Sequence, residues 1–154
     1  MHTYNEIYIH RAPDEVFPYA RDVDQWPVHL HHYRSVSFRT GAPDYGIVEM
    51  AAWRHFGRLR WPVWWVSRME SREAESRILY RHIEGVTKGM DVEWRLEPSG
   101  EGTKASIVHE WDRPPVGGLA ARGIIGPAFV QVIADRTLAG IKFAAEAAGM
   151  GHRS

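Results

Sequence analysis

Between Met90 and Asp112 apolar and polar positions alternate. Met90, Val92, Trp94 and Leu96 fall on one side of a strand, and Asp91, Glu93, Arg95 and Glu97 on the other. After the turn Pro98-Ser99-Gly100-Glu101-Gly102, the residues Ala105, Ile107, His109 and Trp111 oppose Lys104, Ser106, Val108, Glu110 and Asp112. A period of two with one apolar side predicts half-buried strands, and so an antiparallel sheet with one wet face. An earlier strand repeats the pattern, with Tyr4, Glu6, Tyr8 and His10 opposite Ile7 and Ile9. Further strands are predicted over 35–40, 46–56, 59–71 and 78–84, separated by glycine-containing turns near 41–44, 57–58 and 85–89.

Two stretches depart from that period. Ala12-Pro13-Asp14-Glu15 starts a helix with Val16, Phe17 and Ala20 on its apolar side, because proline and acids suit a first helical turn. A second short helix is predicted from Val23 to about Tyr33, capped by Asp22 and interrupted early by Pro27. From about Ile124 to Met150 the period becomes helical. Gln131, Asp135, Lys142 and Glu146 form one narrow stripe, while Phe129, Val130, Ile133, Thr137, Ile141, Ala144 and Ala148 spread over the opposite face. Gly140 sits in the middle, where glycine costs about 1 kcal/mol relative to alanine. A closely approaching neighbour accounts for it. Gly149 and Gly151 supply the stop.

Composition narrows the function classes. A chain of 154 residues is long enough for one domain, 1–154, with a core of its own. Formal net charge is zero, with 19 Lys and Arg against 19 Asp and Glu, so no basic excess recruits nucleic acid and no polybasic run recruits an anionic membrane. The absence of cysteine removes disulfide and thiolate chemistry. No signal core and no bilayer-length apolar run is present, which makes a cytoplasmic protein the expectation. Seven Trp and nine His are the unusual feature, and large aromatics in that number fill a core or line an apolar pocket.

The order strand, two short helices, antiparallel meander and long C-terminal helix is an α+β helix-grip arrangement, a curved sheet wrapped around the last helix. Ala12-Pro13-x-x-Val16-Phe17, then Asp22-Val23-x-x-Trp26-Pro27, then Tyr33, resembles the START/Bet v1-like (SRPBCC) superfamily, and within it the bacterial polyketide cyclase/dehydrase branch. Trp65-Val66-Ser67, Trp94 and Gly102-Thr103 are similar to residues of its aromatase/cyclases. The resemblance covers nearly the whole chain and implies an internal cavity for a small hydrophobic molecule. One departure stands out: Met69 occupies the position, two after the serine, where those enzymes carry a pocket arginine. Pro115-Val116-Gly117-Gly118-Leu119 resembles bacterial relatives of the coenzyme Q-binding START proteins.

Alternation predicts that Trp65, Ser67, Trp94, His109 and Trp111 face the cavity, joined by Tyr80 and His82, with Met69 on the same side and Phe129 and Ile133 from the helix. The resemblance puts Tyr33 on the pocket wall and Trp26 at the wall or mouth. Aldol closure of a poly-carbonyl chain needs a proton acceptor near an activated C–H and donors to the developing oxyanion. His109 or His82 would be the base, and Tyr33 and Ser67 the donors. Each of these equally suits a satisfied polar group in a core. The alternative is a non-catalytic lipid or quinone carrier; a third reading is an accessory subunit with a filled core. No metal and no cofactor is expected: His29-x-His31-His32 lacks a completing ligand, although His29 and His32 would share a helical face, and surface histidines are the simpler account. The arginines of the central hairpins, Arg54 to Arg81, are expected on a solvated sheet face, paired mostly with Glu70, Glu73 and Glu75. The apolar segment 116–126 would be a lid over the cavity, or a transient contact with a membrane or a carrier protein.

Overall fold

A computed structural model describes residues 1–112 and 127–151. The expectation for 116–126 therefore lies outside the described residues. Among them, seven strands form one antiparallel sheet: β1 (His2–Ile9), β2 (Tyr33–Ala42), β3 (Tyr45–Phe56), β4 (Leu59–Arg72), β5 (Arg77–Gly85), β6 (Asp91–Ser99) and β7 (Gly102–Glu110). Their order is β1-β7-β6-β5-β4-β3-β2, a meander in which only β1 crosses, to lie beside β7. Helix α1 (Pro13–Arg21), a 3₁₀ turn (Val23–Gln25) and helix α2 (Trp26–His29) connect β1 to β2. Helix α3 (Pro127–Gly151) follows the sheet. No helix among the described residues is long and apolar enough to cross a membrane.

The second short helix is shorter than its pattern predicts. Leu30 already has an extended backbone, φ −121° and ψ 97°, so the helix ends at His29. Tyr33 opens β2 instead of closing a helix, and His29 and His32 share no helical face. His29 and His31 are exposed as expected, whereas His32 is buried.

Helix α3 buries Phe129, Val130, Ile133, Ala134, Thr137, Leu138, Ile141 and Ala145 against the sheet, while Ala144 and Ala148 are half-buried. Its polar stripe is a fastening. Asn5 Nδ2 donates to Asp135 Oδ1 at 2.7 Å and to the Gln131 carbonyl at 3.4 Å. Lys142 Nζ donates to the Tyr8 carbonyl at 2.6 Å, and the His10 N–H donates to Glu146 Oε2 at 3.1 Å. Tyr8 belongs to β1, which has no strand on its outer side among the described residues, and His10 follows that strand directly. The stripe satisfies part of that edge and so protects it from pairing with another chain.

Gly140 meets the neighbour its position implied. A Cβ there would overlap Leu30 Cδ2, and Leu30 is itself buried. Gly140→Ala gains helix propensity worth about 1 kcal/mol but overpacks this contact, which typically costs about 1–3 kcal/mol. In urea unfolding Gly140→Ala is expected to destabilise the wild-type protein but to be neutral or stabilising when introduced into the Leu30→Ala variant, whose own core loss is the reference. The same cost in both backgrounds would remove Leu30 as the cause.

Candidate ligand-binding site

The cavity lies between the concave face of the sheet and α3. Strand parity turns Met50 on β3, Trp65 on β4, Tyr80 and His82 on β5, Val92 and Trp94 on β6, and Ile107 and His109 on β7 toward it. Phe129, Val130, Ile133, Ala134 and Thr137 close it from α3, with Trp26 and Tyr33 at one side. About 60 Å³ is open to the centre of a water-sized sphere, and the space unfilled by atoms, mouth included, is about 520 Å³.

Aromatic rings form a continuous wall. Trp26 packs edge-on to Tyr33 at 5.1 Å and tilted against Trp94 at 5.8 Å. Tyr33 meets Trp65 edge-on at 6.1 Å, and Trp65 stacks on His82 at 5.7 Å with 9° between the planes. The Trp26 indole N–H donates to the Tyr19 carbonyl at 3.0 Å, which fixes the ring from outside the cavity.

The turn after β5 completes this wall. Gly85 has φ +96°, and any Cβ there would collide with the backbone of Trp64 and Trp65, so only glycine lets the chain turn so close to β4. The His82 N–H donates to the Met90 carbonyl at 2.9 Å, and the Gly89 N–H to the His82 carbonyl at 2.8 Å. That closure brings the Thr87 hydroxyl onto His82 Nδ1, where the two share a short hydrogen bond. Thr87, hidden within a turn motif, is a lining residue that strand alternation had no means to find.

Thr137 is the polar hub of α3. Its hydroxyl donates to the Ile133 carbonyl at 2.7 Å. With that proton committed, Oγ1 has only lone pairs left for His32 Nε2 at 3.1 Å and the Tyr33 hydroxyl at 3.4 Å. His32 therefore carries its proton on Nε2, and Tyr33 donates to Thr137.

Three buried polar atoms of the predicted site have no protein partner among the described residues: Tyr80 Oη, His109 Nδ1 and Ser67 Oγ. Tyr80 and His109 line the cavity. Ser67 is fully buried on β4, beside a bulge between Val66 and Ser67, and is not part of the lining. Met69 and Trp111 are also buried without lining the cavity; the Trp111 indole N–H donates to the Lys88 carbonyl at 3.1 Å. Trp26, Tyr33, Trp65, Tyr80, His82, Trp94, His109, Phe129 and Ile133 are brought together as lining.

Burial sets the protonation of these groups. His82 is held down to about 3 by burial and by the neighbouring His109, and His109 to about 4 by burial. Burial pushes both tyrosines above the ordinary phenol range. At neutral pH the imidazoles are uncharged and the phenols protonated, and no carboxylate, ammonium or guanidinium is among the described lining residues.

Cations gather beyond the cavity. Arg54 is buried, not on the solvated sheet face expected for it, and its Nη1 donates to the His55 carbonyl at 2.7 Å. Burial and the Arg136 charge lower its pKa, and His32 is lowered to about 4 by burial, then by Arg136 and His55.

A sheet gripping a long C-terminal helix over an aromatic cavity defines the START/Bet v1-like class of helix-grip proteins. Similar solved structures are TTHA0849 from Thermus thermophilus (22% identity, TM-score 0.78, 96% of this chain and 99% of that one) and the Zhui aromatase/cyclase from Streptomyces sp. R1128 (19%, 0.73, 95% and 93%). A START superfamily protein from Mycobacterium smegmatis shares the fold at 10% identity, with a TM-score of 0.70 over 94% of this chain and 97% of that one. At these identities the likeness is one of fold. No curated protein matches in sequence. A family model described as polyketide cyclase / dehydrase and lipid transport matches residues 1–146, and the chain belongs to that family.

Proposed function

We propose that the protein binds a small, uncharged, oxygen-bearing hydrophobic molecule between its sheet and α3. The observation that carries this reading is the pair of buried atoms, Tyr80 Oη and His109 Nδ1, that have no hydrogen-bond partner among the described residues, in a largely apolar wall whose described residues carry no charge. A buried polar atom without a partner costs about 1–3 kcal/mol. A ligand hydroxyl donating to His109 and a ligand carbonyl accepting from Tyr80 offset that cost. Ligands larger than a few waters, at about 10–15 Å³ each, enter by displacing side chains. Met50 and Met90 are the readiest to move, since methionine has three rotors.

Chemistry at this site is cyclase-like. Neutral His109 removes a proton from a methylene between two carbonyls, and the resulting carbanion forms a carbon–carbon bond to a further carbonyl. Tyr80 supplies the proton to the new alkoxide. In the dehydration that follows, the Tyr80 phenolate takes the remaining C–H proton and the His109 imidazolium protonates the departing hydroxyl, so that water leaves and both side chains return to their neutral forms. Assigning the donor role to Tyr80 departs from the expectation for Tyr33, whose hydroxyl is already committed to Thr137. A histidine held near 4 is a weak base, so only strongly activated C–H groups react, as in a poly-carbonyl chain. Non-catalytic carriage of a lipid or quinone that bears both a hydroxyl and a carbonyl would use the same two hydrogen bonds.

The test is a titration with a neutral hydroxyquinone and its carboxylated analogue, read by quenching of tryptophan fluorescence. The neutral compound is expected to bind at least about tenfold more tightly, because the carboxylate loses its hydration without gaining a cation. Tyr80→Phe and His109→Phe should each weaken it by about tenfold, the worth of one hydrogen bond. Equal affinity for the carboxylate would refute the charge-free site. Mass spectrometry of an organic extract of the purified protein then separates a polyketide-like aromatic, which supports the cyclase reading, from an isoprenoid or other uncharged lipid, which supports carriage.

A further inference from the structure

The charges of the sheet are unevenly balanced. Away from the β3–β4 turn, most arginines of the sheet meet carboxylates, Arg39 with Glu49 and Glu84, Arg72 with Glu70, and Arg81 with Asp91; Arg68, at the far end of β4, is an exception. Between Met50 and Met69 the chain carries Arg54, Arg58, Arg60 and Arg68 and no acidic residue. The ion pairs of the described residues leave out Arg58 and Arg60, both exposed near the tip. Arg60 lies over the Trp53 ring at 4.1 Å, and Arg34 over the same ring at 4.9 Å.

The same hairpin exposes large apolar side chains. Leu59 is 75% exposed, Trp61 43% and Trp64 44%. By strand parity Leu59 and Trp61 project to the side that carries Val63 and Trp65, and Trp64 to the other. A surface made to dock side-on against a protein needs one such face. A hairpin tip with large apolar side chains on both sides, and with exposed arginines at its turn and beside Trp64, suits entry into an interfacial layer, where tryptophan rings sit at headgroup depth and arginines meet phosphates. Neutral net charge does not oppose this, because surface potentials act within about a Debye length, ~10 Å, and so on the local charge.

We propose that the β3–β4 hairpin docks the protein onto an anionic phospholipid bilayer, with Leu59, Trp61 and Trp64 in the interfacial layer and Arg58 and Arg60 on lipid phosphates. This docking is independent of what the cavity holds.

Sedimentation of the full chain with vesicles tests it. Binding is expected to phosphatidylcholine vesicles containing about one-third phosphatidylglycerol, to weaken with salt, and to be weak on phosphatidylcholine alone. Arg58→Glu with Arg60→Glu should reduce partitioning more than about tenfold, and Leu59→Ser with Trp61→Ser by about tenfold or more. All four side chains are exposed, and an unchanged thermal unfolding curve checks the fold of each variant. Absence of binding to the anionic vesicles, or binding that neither double variant weakens, overturns the proposal. So does binding of poly-glutamate, in place of vesicles, lost on Arg58→Glu with Arg60→Glu; that result would make the hairpin a site for an acidic protein.

Discussion

Acidification from pH 7 to pH 4 is expected to unfold the protein, with most of the stability lost between about pH 6.5 and pH 4. Three buried histidines drive this. His32 and His109 are held down to about 4 and His82 to about 3, in each case first by burial, whereas free histidine titrates near 6.5. The sign follows from linkage. Above about 6.5 these imidazoles are neutral in both folded and unfolded chains, and their contribution to stability is fully present. Below that value the unfolded chain takes up protons that the folded chain refuses until its own lower pKa is reached, so stability falls with pH throughout the window. Three protons correspond to a slope of up to about 4 kcal/mol per pH unit, enough to exhaust a stability of about 5–15 kcal/mol within a few units. Urea unfolding free energies measured from pH 7.5 to 4.5 give the slope directly. His82→Gln should lower stability at pH 7 and reduce the slope below pH 6 by about one proton. A flat profile below pH 6.5, or a slope that His82→Gln leaves unchanged, would remove buried histidine as the cause.

Where one side of an element is wet, the element and its facing were legible. Val92, Trp94 and Leu96 on β6 and Ala105, Ile107 and His109 on β7 point inward as alternation predicts, because a one-residue slip would exchange every buried side chain for an exposed one. The stripe on α3 was equally plain, but its partners were not, since nothing in the pattern pairs Lys142 with a carbonyl more than a hundred residues away. The short helices fared worse. Pro13 and the acids of the first turn mark the start of α1, whereas the end of α2 rests on the backbone of Leu30, for which no glycine or proline gives a signal. That error carried Tyr33 and His32 with it. Arg54 is different, because its signal was present: Val48, Met50 and Ala52 alternate into it, and grouping it with the other hairpin arginines obscured this. In the site, parity turned Trp65, Tyr80, His82, Trp94 and His109 to the cavity, but it also included Ser67, Met69 and Trp111, which are buried without lining it, and it could not show which hydroxyls were already satisfied. Tyr33 and Tyr80 are alike in sequence, and only the position of Thr137 separates a committed phenol from an open one.

Removing that hub has a second large expected effect. Thr137→Val keeps the volume of the side chain and deletes one oxygen. His32 Nε2 and the Tyr33 hydroxyl then lose the acceptor they hold at 3.1 and 3.4 Å, in a site where His32 and Tyr33 are both buried. Each unsatisfied group costs about 1–3 kcal/mol, so a loss of about 2–6 kcal/mol is expected, a large share of a stability of about 5–15 kcal/mol. A double-mutant cycle isolates the cause. Tyr33→Phe should destabilise the wild-type protein by about 1 kcal/mol, but should be neutral or stabilising in Thr137→Val, where it removes an orphaned hydroxyl. An identical cost in both backgrounds would mean that the Tyr33–Thr137 hydrogen bond contributes nothing. Ligand binding supplies an independent readout, because Tyr33 and Thr137 both line the cavity. Freed from Thr137, the Tyr33 hydroxyl becomes a second donor beside Tyr80, and a bound ligand carbonyl can satisfy it. Affinity for a neutral hydroxyquinone is therefore expected to hold or increase in Thr137→Val while unfolding stability falls. A simple loosening of the core would lower both, so the opposite movement of the two quantities identifies Thr137 as the residue that keeps Tyr33 out of the site.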